Sequence, residues 1–430
     1  MAIINKKGEI INMEKFIINK SKPLNGTVEI SGSKNSALPI IASTILATKP
    51  VHLKNIPPLA DIRVMLQLLK DMGARVNFGK ELFIDAGNII NIQPDYDYSK
   101  KLRASFLLAG AMLGRFKTVA IPLPGGCTIG TRPVDLHLKG FAALGAECIL
   151  EHGVVIIEAG RLKGNNIYLD FPSVGATENI MVAAATAQGT TNIYNCATEP
   201  EIVDLANFLN KMGGNIQGAG TDTITIKGVD KLEGCTHSVI SDRIEAGTFM
   251  LAAATGGNVV IKNINLEHIS PVIHKLKETG VNVIKGEDSL RIISEGVYDN
   301  TDIKTMPYPG FPTDMQAQFM SVMTRGKGTG VINETIFENR FMHVSELNRM
   351  GADIKIQGKT AVIKGVTGLT GTRVKATDLR AGAALVISAL MAEGQTEIGE
   401  IHHIDRGYYS IEKKLRGLGV DIKRVEFDDN

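Results

Sequence analysis

Apolar positions along the chain recur in a fixed order. A stretch that is apolar all round, such as Ile180-Met-Val-Ala-Ala-Ala-Thr-Ala187, leads into a short strand-like run, then a helix with one apolar stripe, then two more alternating runs. A helix without a polar face must be buried on every side, whereas a striped helix covers a neighbour on one face only. Each cycle closes on Leu, two residues, usually Leu or Met, and then Gly with a small or β-branched neighbour. The six closures are Gly73-Ala74, Gly145-Ala146, Gly213-Gly214, Gly280-Val281, Gly351-Ala352 and Gly419-Val420. Successive glycines lie 72, 68, 67, 71 and 68 residues apart, each placed to take the left-handed conformation that ends a helix. The pattern predicts an α/β fold of six repeated units, each reading buried helix, short strand, amphipathic helix and two strands. Units of about 70 residues group naturally as two domains of three.

A polar or charged group opens each buried helix. The openers are Gly32-Ser33-Lys34-Asn35, Leu102-Arg103-Ala104-Ser105, Gly175-Ala176-Thr177-Glu178, Asp242-Arg243-Ile244-Glu245, Pro312-Thr313-Asp314-Met315 and Asp378-Leu379-Arg380-Ala381. Lys34, Arg103, Arg243 and Arg380 thus stand at helix starts, where the helix dipole disfavours a cation. Misplaced positive charge repeated in phase, beside unpaired backbone N–H groups, points to an anion site where the openers converge.

Composition narrows the class. The 430 residues are 44% hydrophobic and 21% charged with a net charge of +2, giving no basic excess for nucleic acid. Trp is absent and aromatics are 5%, so base-stacking platforms are not expected. Residues 1–20 carry no apolar signal block, and Ala381 to Ala392 is about half a membrane span. A cytoplasmic protein with no membrane partner is expected.

The four cysteines, Cys127, Cys148, Cys196 and Cys235, form no C-x-x-C pair and no His-interleaved metal spacing, so all are read as reduced thiols. Cys127 stands apart. In Pro124-Gly-Gly-Cys-Thr-Ile-Gly-Thr-Arg-Pro133 the glycines free the backbone, the prolines interrupt ladders, and Arg132 favours a thiolate. A reactive cysteine is the sharper reading and an incidental loop cysteine the blander one. Gly351 to Gly358-Lys359-Thr360 imitates a P-loop, but its glycines are spaced too widely; Gly218-Ala-Gly220 lacks a third glycine and reads as a turn. His402-His403, placed on a strand, would face opposite ways, so no metal is expected.

Several motifs together resemble one family. Ser31-Gly-Ser-Lys-Asn-Ser-Ala37, the Cys127 loop through Arg132-Pro-Val-Asp-Leu136, Phe311-Pro-Thr-Asp-Met-Gln-Ala-Gln318, Glu338-Asn-Arg-Phe-Met-His343, Asp378-Leu-Arg380 and His403-Ile-Asp-Arg-Gly407 closely resemble the UDP-N-acetylglucosamine 1-carboxyvinyltransferase family of enolpyruvyl transferases. The likeness runs from about Met13 onward; the dozen residues before it are assigned no role. It implies two inside-out α/β barrels with helices inside and sheets outside, residues 34–240 forming one and 1–33 with 241–430 the other, with the active site between them. It implies phosphoenolpyruvate and UDP-N-acetylglucosamine as substrates, an enolpyruvyl ether and phosphate as products, no cofactor, and the opening step of peptidoglycan precursor synthesis.

The resemblance also distributes roles. Cys127, Asp314, Lys34 and Arg406 are the catalytic candidates, Cys127 as proton donor to C3 of phosphoenolpyruvate, able to form a covalent adduct and open to the epoxide fosfomycin. Lys34, Asn35, Arg132, Arg380 and Arg406 would hold phosphoenolpyruvate, whose carboxylate and phosphate call for fixed cations. Asn35, Arg103, Arg132, Pro133, Val134, Asp135, Leu136, Ser173, Val174, Gly175, Asp314 and Ile336 would hold the nucleotide-sugar. Asp314 is either base or positioning group; at a helix start its carboxyl is expected to have a lowered pKa, which makes it a weak base unless closure strips water away and so favours positioning. Phe171 stands where some members carry Lys. The shikimate-pathway relative, 3-phosphoshikimate 1-carboxyvinyltransferase, and a silent UDP-N-acetylglucosamine-binding paralogue are the competing readings. Ligand residues drawn from both halves predict closure on binding.

Overall fold

The computed structural model describes residues 3–4, 10–11, 13–90, 103–123 and 134–427. They divide into two compact units, one of residues 32–241 and one of the residues up to Ser31 together with those from Asp242.

Within residues 32–241, the helices Lys34–Ser43, Leu108–Phe116 and Val174–Ala184 pack on one another at the centre, almost wholly buried as their unbroken apolar character requires. Close approach is built in at Gly110, where an added Cβ would stand 2.3 Å from the Asn179 carbonyl oxygen. The striped helices Ala60–Asp71, Asp135–Ala143 and Pro200–Lys211 follow one per unit. The sheets alternate between buried and exposed residues: in Val51–Lys54, Val51 and Leu53 point inward and His52 and Lys54 outward. One sheet runs Thr236–Ser238, Val51–Lys54, Leu82–Asp85, Arg75–Phe78, its first pair parallel and the rest antiparallel.

The other unit repeats the plan. Arg243–Ala254, Gln316–Met323 and Leu379–Met391 form its buried centre, with Ser270–Glu278, Val344–Arg349 and Ile411–Gly417 as the outer helices. Leu24–Glu29 supplies the parallel strand beside Gly257–Lys262. The last unit departs from the predicted order: among the described residues only the strand Ile422–Phe427 follows Ile411–Gly417, and the second hairpin strand is Met13–Asn19, which lies between Ile422–Phe427 and Gln395–Gly399.

The predicted punctuation is present. Gly73, Gly145, Gly213, Gly280, Gly351 and Gly419 all have positive φ, between 86° and 110°. Ser33, Ser173, Asp242 and Asp378 cap the following helices, each side chain accepting from backbone N–H groups one turn in. Arg103–Leu107 and Thr313–Met315 begin as tighter 3-10 turns. Gly218 and Gly220 sit in a turn with φ of 81° and 91°, and Gly358 turns between the strands Asp353–Gln357 and Thr360–Lys364.

One expectation is overturned. His402 and His403 lie not on a strand but on the short helix His402–Asp405. Glu400, with φ of 56°, takes a left-handed turn straight after the strand Gln395–Gly399, which sends the chain into a helical path. Among the described residues no helix is long and apolar enough to cross a membrane.

Candidate active site

Asp314 joins two arginines, Arg340 and Arg380, whose side chains are almost wholly buried. Its Oδ1 accepts from Arg340 Nη2 at 2.7 Å, and its Oδ2 accepts from Arg380 Nη2 at 2.9 Å and Nε at 3.1 Å. Both guanidinium side chains are 5% exposed, the carboxylate 27%. Burial opposes ionisation of Asp314, but Arg380 and Arg340 outweigh it and hold the carboxyl far below the usual carboxylate range. Such a carboxylate is a poor base and a firm anchor.

Arg380 is itself built in. Its helix is capped by Asp378, so the guanidinium stands one residue inside the first turn, and Nη1 donates to the Tyr408 hydroxyl at 3.2 Å. That hydroxyl also meets Thr248 Oγ1 at 2.8 Å and accepts from Gln318 Nε2 at 3.2 Å, while the same Gln318 amide donates to the Asp314 carbonyl at 2.8 Å. Burial pushes the phenol above its ordinary pKa, so it stays a neutral hydrogen-bonding node. Glu334, 1% exposed, accepts from Thr313 Oγ1 at 2.9 Å and from the Ile336 N–H at 2.9 Å, so it ties the Ile336 turn to the Asp314 turn. Arg406 is half-buried where His402–Asp405 ends.

In residues 32–241, Lys34 is buried at its helix start and donates to Asp61 Oδ2 at 3.1 Å, while Asn35 beside it is exposed. A cation at a helix start is thus offset by a carboxylate, as at Arg380. Ser173, Val174 and Gly175 open one helix, and Val134 precedes the next candidate helix start at Asp135 and Leu136. His137 joins them: its ring lies 3.2 Å from where a Gly175 Cβ would be, and its Nδ1 is 2.9 Å from Asn179 Nδ2. Phe171, 47% exposed, offers its carbonyl to the Ser173 N–H at 2.7 Å. The Arg103 backbone begins a 3-10 turn. Cys127, Arg132 and Pro133, and the Arg103 side chain, lie outside the described residues.

Sequence reasoning missed Arg340, Tyr408 and Gln318. Arg340 lies inside a motif quoted for its likeness, Glu338 to His343, but nothing in its spacing reveals that the guanidinium turns onto Asp314. Tyr408 reads as one more apolar position after Gly407. An open groove of about 490 Å³ lined by Pro271, His274, Lys275, Phe311 and Val331 includes none of the expected site residues.

Residues 18–415 match the family described as EPSP synthase (3-phosphoshikimate 1-carboxyvinyltransferase). The chain is 58% identical over 411 residues to UDP-N-acetylglucosamine 1-carboxyvinyltransferase 1 of Caldanaerobacter subterraneus subsp. tengcongensis, covering 95% of this chain and 99% of that protein. It belongs to the UDP-N-acetylglucosamine 1-carboxyvinyltransferase family. Another member, UDP-N-acetylglucosamine 1-carboxyvinyltransferase 2 of Carboxydothermus hydrogenoformans, is 56% identical over 417 residues, 96% of this chain and 100% of its own. Among solved structures, the enolpyruvyl transferase NikO from Streptomyces tendae superposes with a TM-score of 0.88 at 24% identity, covering 97% of this chain and 100% of that one. EPSP synthase from Acinetobacter baumannii gives 0.75 at 19% identity, with 96% and 100% covered. The enolpyruvyl transferase fold is therefore shared well beyond the UDP-N-acetylglucosamine 1-carboxyvinyltransferase family.

Proposed function

We propose that this chain transfers the enolpyruvyl group of phosphoenolpyruvate to the 3-hydroxyl of UDP-N-acetylglucosamine, releasing inorganic phosphate and supplying the first intermediate of peptidoglycan precursor synthesis in the cytoplasm. The observation that carries this reading is the 58% identity to a carboxyvinyltransferase of that name across nearly the whole chain. The shikimate-pathway reading has only the broad family match and structural likeness at 19% identity on its side. Both substrates are small molecules, and we assign neither nucleic acid nor a membrane as a partner.

The roles follow from the chemistry. Lys34, Asn35, Arg132, Arg380 and Arg406 hold the two anionic ends of phosphoenolpyruvate. The sugar hydroxyl adds to C2, releasing its proton to solvent, while Cys127 gives its own proton to C3; phosphate then leaves C2 as C3 returns a proton to the Cys127 thiolate, restoring the double bond. Asn35, Arg103, residues 132–136, residues 173–175 and Ile336 hold the nucleotide-sugar. Asp314, fixed between Arg340 and Arg380, orients the attacking hydroxyl, because a carboxyl so firmly ionised takes up a proton poorly. Candidate ligands thus come both from residues 34–240 and from the remainder of the chain.

Phosphate release measured with each acceptor tests the assignment. Turnover with UDP-N-acetylglucosamine and none with 3-phosphoshikimate is expected; the reverse would transfer the chain to the shikimate reading, and no release with either would leave the silent paralogue. Cys127→Asp, still a proton donor, is expected to keep turnover and escape the epoxide, whereas Cys127→Ser loses most activity. A dead Asp variant with an active Ser variant would remove the proton-donor role.

A further inference from the structure

We propose that Glu400, His402 and His403 form a binding site for a divalent transition-metal ion such as cobalt, nickel or zinc. On a strand the two imidazoles would diverge; on the short helix His402–Asp405 their ring centroids are 4.1 Å apart with planes tilted by 37°. Glu400 Oε2 lies 3.3 Å from His402 Nδ1. Ligands at about 2.0–2.1 Å from a tetrahedral ion stand roughly 3.4 Å from each other, so this pair already spans one edge of a coordination polyhedron. One ligand atom from each of the three residues lies within 4.8 Å of the other two. Completing the triad asks for side-chain rotation moving the third atom by on the order of an ångström.

A second observation concerns His403. Its Nδ1 is buried and has no hydrogen-bond partner among the described residues. An imidazole normally has its ring orientation fixed by such a bond, and here the ring turns toward an ion without breaking one at that atom. Glu400 and His402 are exposed, so an ion and the waters completing its shell enter from solvent. Two imidazoles and a carboxylate without thiolate select borderline ions over calcium or magnesium, which prefer oxygen ligands. None of the three residues bonds to Asp314, although Arg406 and Asp378 lie near enough to His403 to act on it electrostatically, and occupation of the site does not depend on the transferase reading.

Cobalt(II) titrated into the full chain is the direct test, because its visible bands distinguish nitrogen and oxygen ligands from thiolate. One equivalent is expected to bind without thiolate charge-transfer absorption, to raise Tm, and to weaken at least about tenfold in His402→Ala and in Glu400→Gln, each of which removes one ligand. Unchanged affinity in both variants, thiolate bands from a cysteine, or no binding at millimolar cobalt would each overturn the site. Circular dichroism of both variants, expected to match the parent, separates lost ligation from lost folding.

Discussion

Replacing Asp314 by Asn tests whether this carboxylate holds the two arginines in place. The substitution keeps shape but removes a charge that accepts from Arg340 Nη2 at 2.7 Å and from Arg380 Nη2 and Nε at 2.9 and 3.1 Å. An amide accepts on one side only, so its NH₂ faces the N–H groups of the other guanidinium. Removing one partner of a buried ion pair costs about 3–5 kcal/mol, and with the carboxylate 27% exposed the lower end is expected. The pH dependence supplies a second signature. Because the folded carboxyl is far more acidic than the unfolded one, wild-type stability from this group is complete above about pH 5. Below that the unfolded chain takes up a proton that the folded chain refuses, and stability falls by at most about 1.4 kcal/mol per pH unit. Asp314→Asn has no such group, so the gap between the two proteins narrows as pH falls. Urea unfolding followed by circular dichroism between pH 7 and pH 3 measures it, the chain having no Trp for fluorescence. A gap below about 1 kcal/mol at pH 7, or one that stays constant into acid, refutes the account of Asp314 as the group that balances the two guanidiniums.

Further outcomes follow from other contacts. Tyr408→Phe removes the hydroxyl that Arg380, Thr248 and Gln318 share, and kcat/KM for phosphoenolpyruvate should fall about 5–30-fold, matching 1–2 kcal/mol, with the KM for UDP-N-acetylglucosamine moving less than about twofold; the opposite split contradicts a role through Arg380. Gly110→Ala drives a methyl to 2.3 Å from a backbone oxygen and should destabilise by about 1–3 kcal/mol in thermal unfolding; a change within about 0.5 kcal/mol shows that the helices can separate there. Burial raises the thiol pKa of Cys148 and Cys235, and that of Cys196 to about 11, so iodoacetamide at pH 7 should label Cys127 well before any of them, as read by peptide mass spectrometry. Labelling of Cys196 at a rate equal to Cys127 would undo that ranking.

The repeat was legible because its signals are local: an all-apolar helix, a closing glycine, and a capping Ser or Asp belong to short stretches whose physics needs no distant partner. The Lys34 and Arg380 helix starts were legible for the same reason, since a cation against the dipole advertises a partner. Those partners were not. Asp61 lies 27 residues from Lys34, and Arg340 lies 26 from Asp314, so only the packed chain shows that they meet. The His402-His403 error arose where strand and helix signals overlap in a short run, and a left-handed residue, Glu400, decided the outcome. Met13–Asn19 was unreadable as part of the last unit because its partner strand is some four hundred residues away.

That strand has a consequence for synthesis. A ribosome adding about 5–20 residues per second needs on the order of 20–80 s to pass from Asn19 to Ile422. Residues 32–241 are contiguous and can fold as they emerge, but Met13–Asn19 must wait, its hydrogen-bonding edges unpaired, until Gln395–Gly399 and then Ile422–Phe427 arrive. An apolar strand left open for so long invites pairing with the wrong chain. Its sequence, Met-Glu-Lys-Phe-Ile-Ile-Asn followed by Lys20, carries a guard against that. Lys15 and Lys20 keep the strand charged while it waits, and once folded they pair with Glu397 and Glu393 around the very strand that was missing.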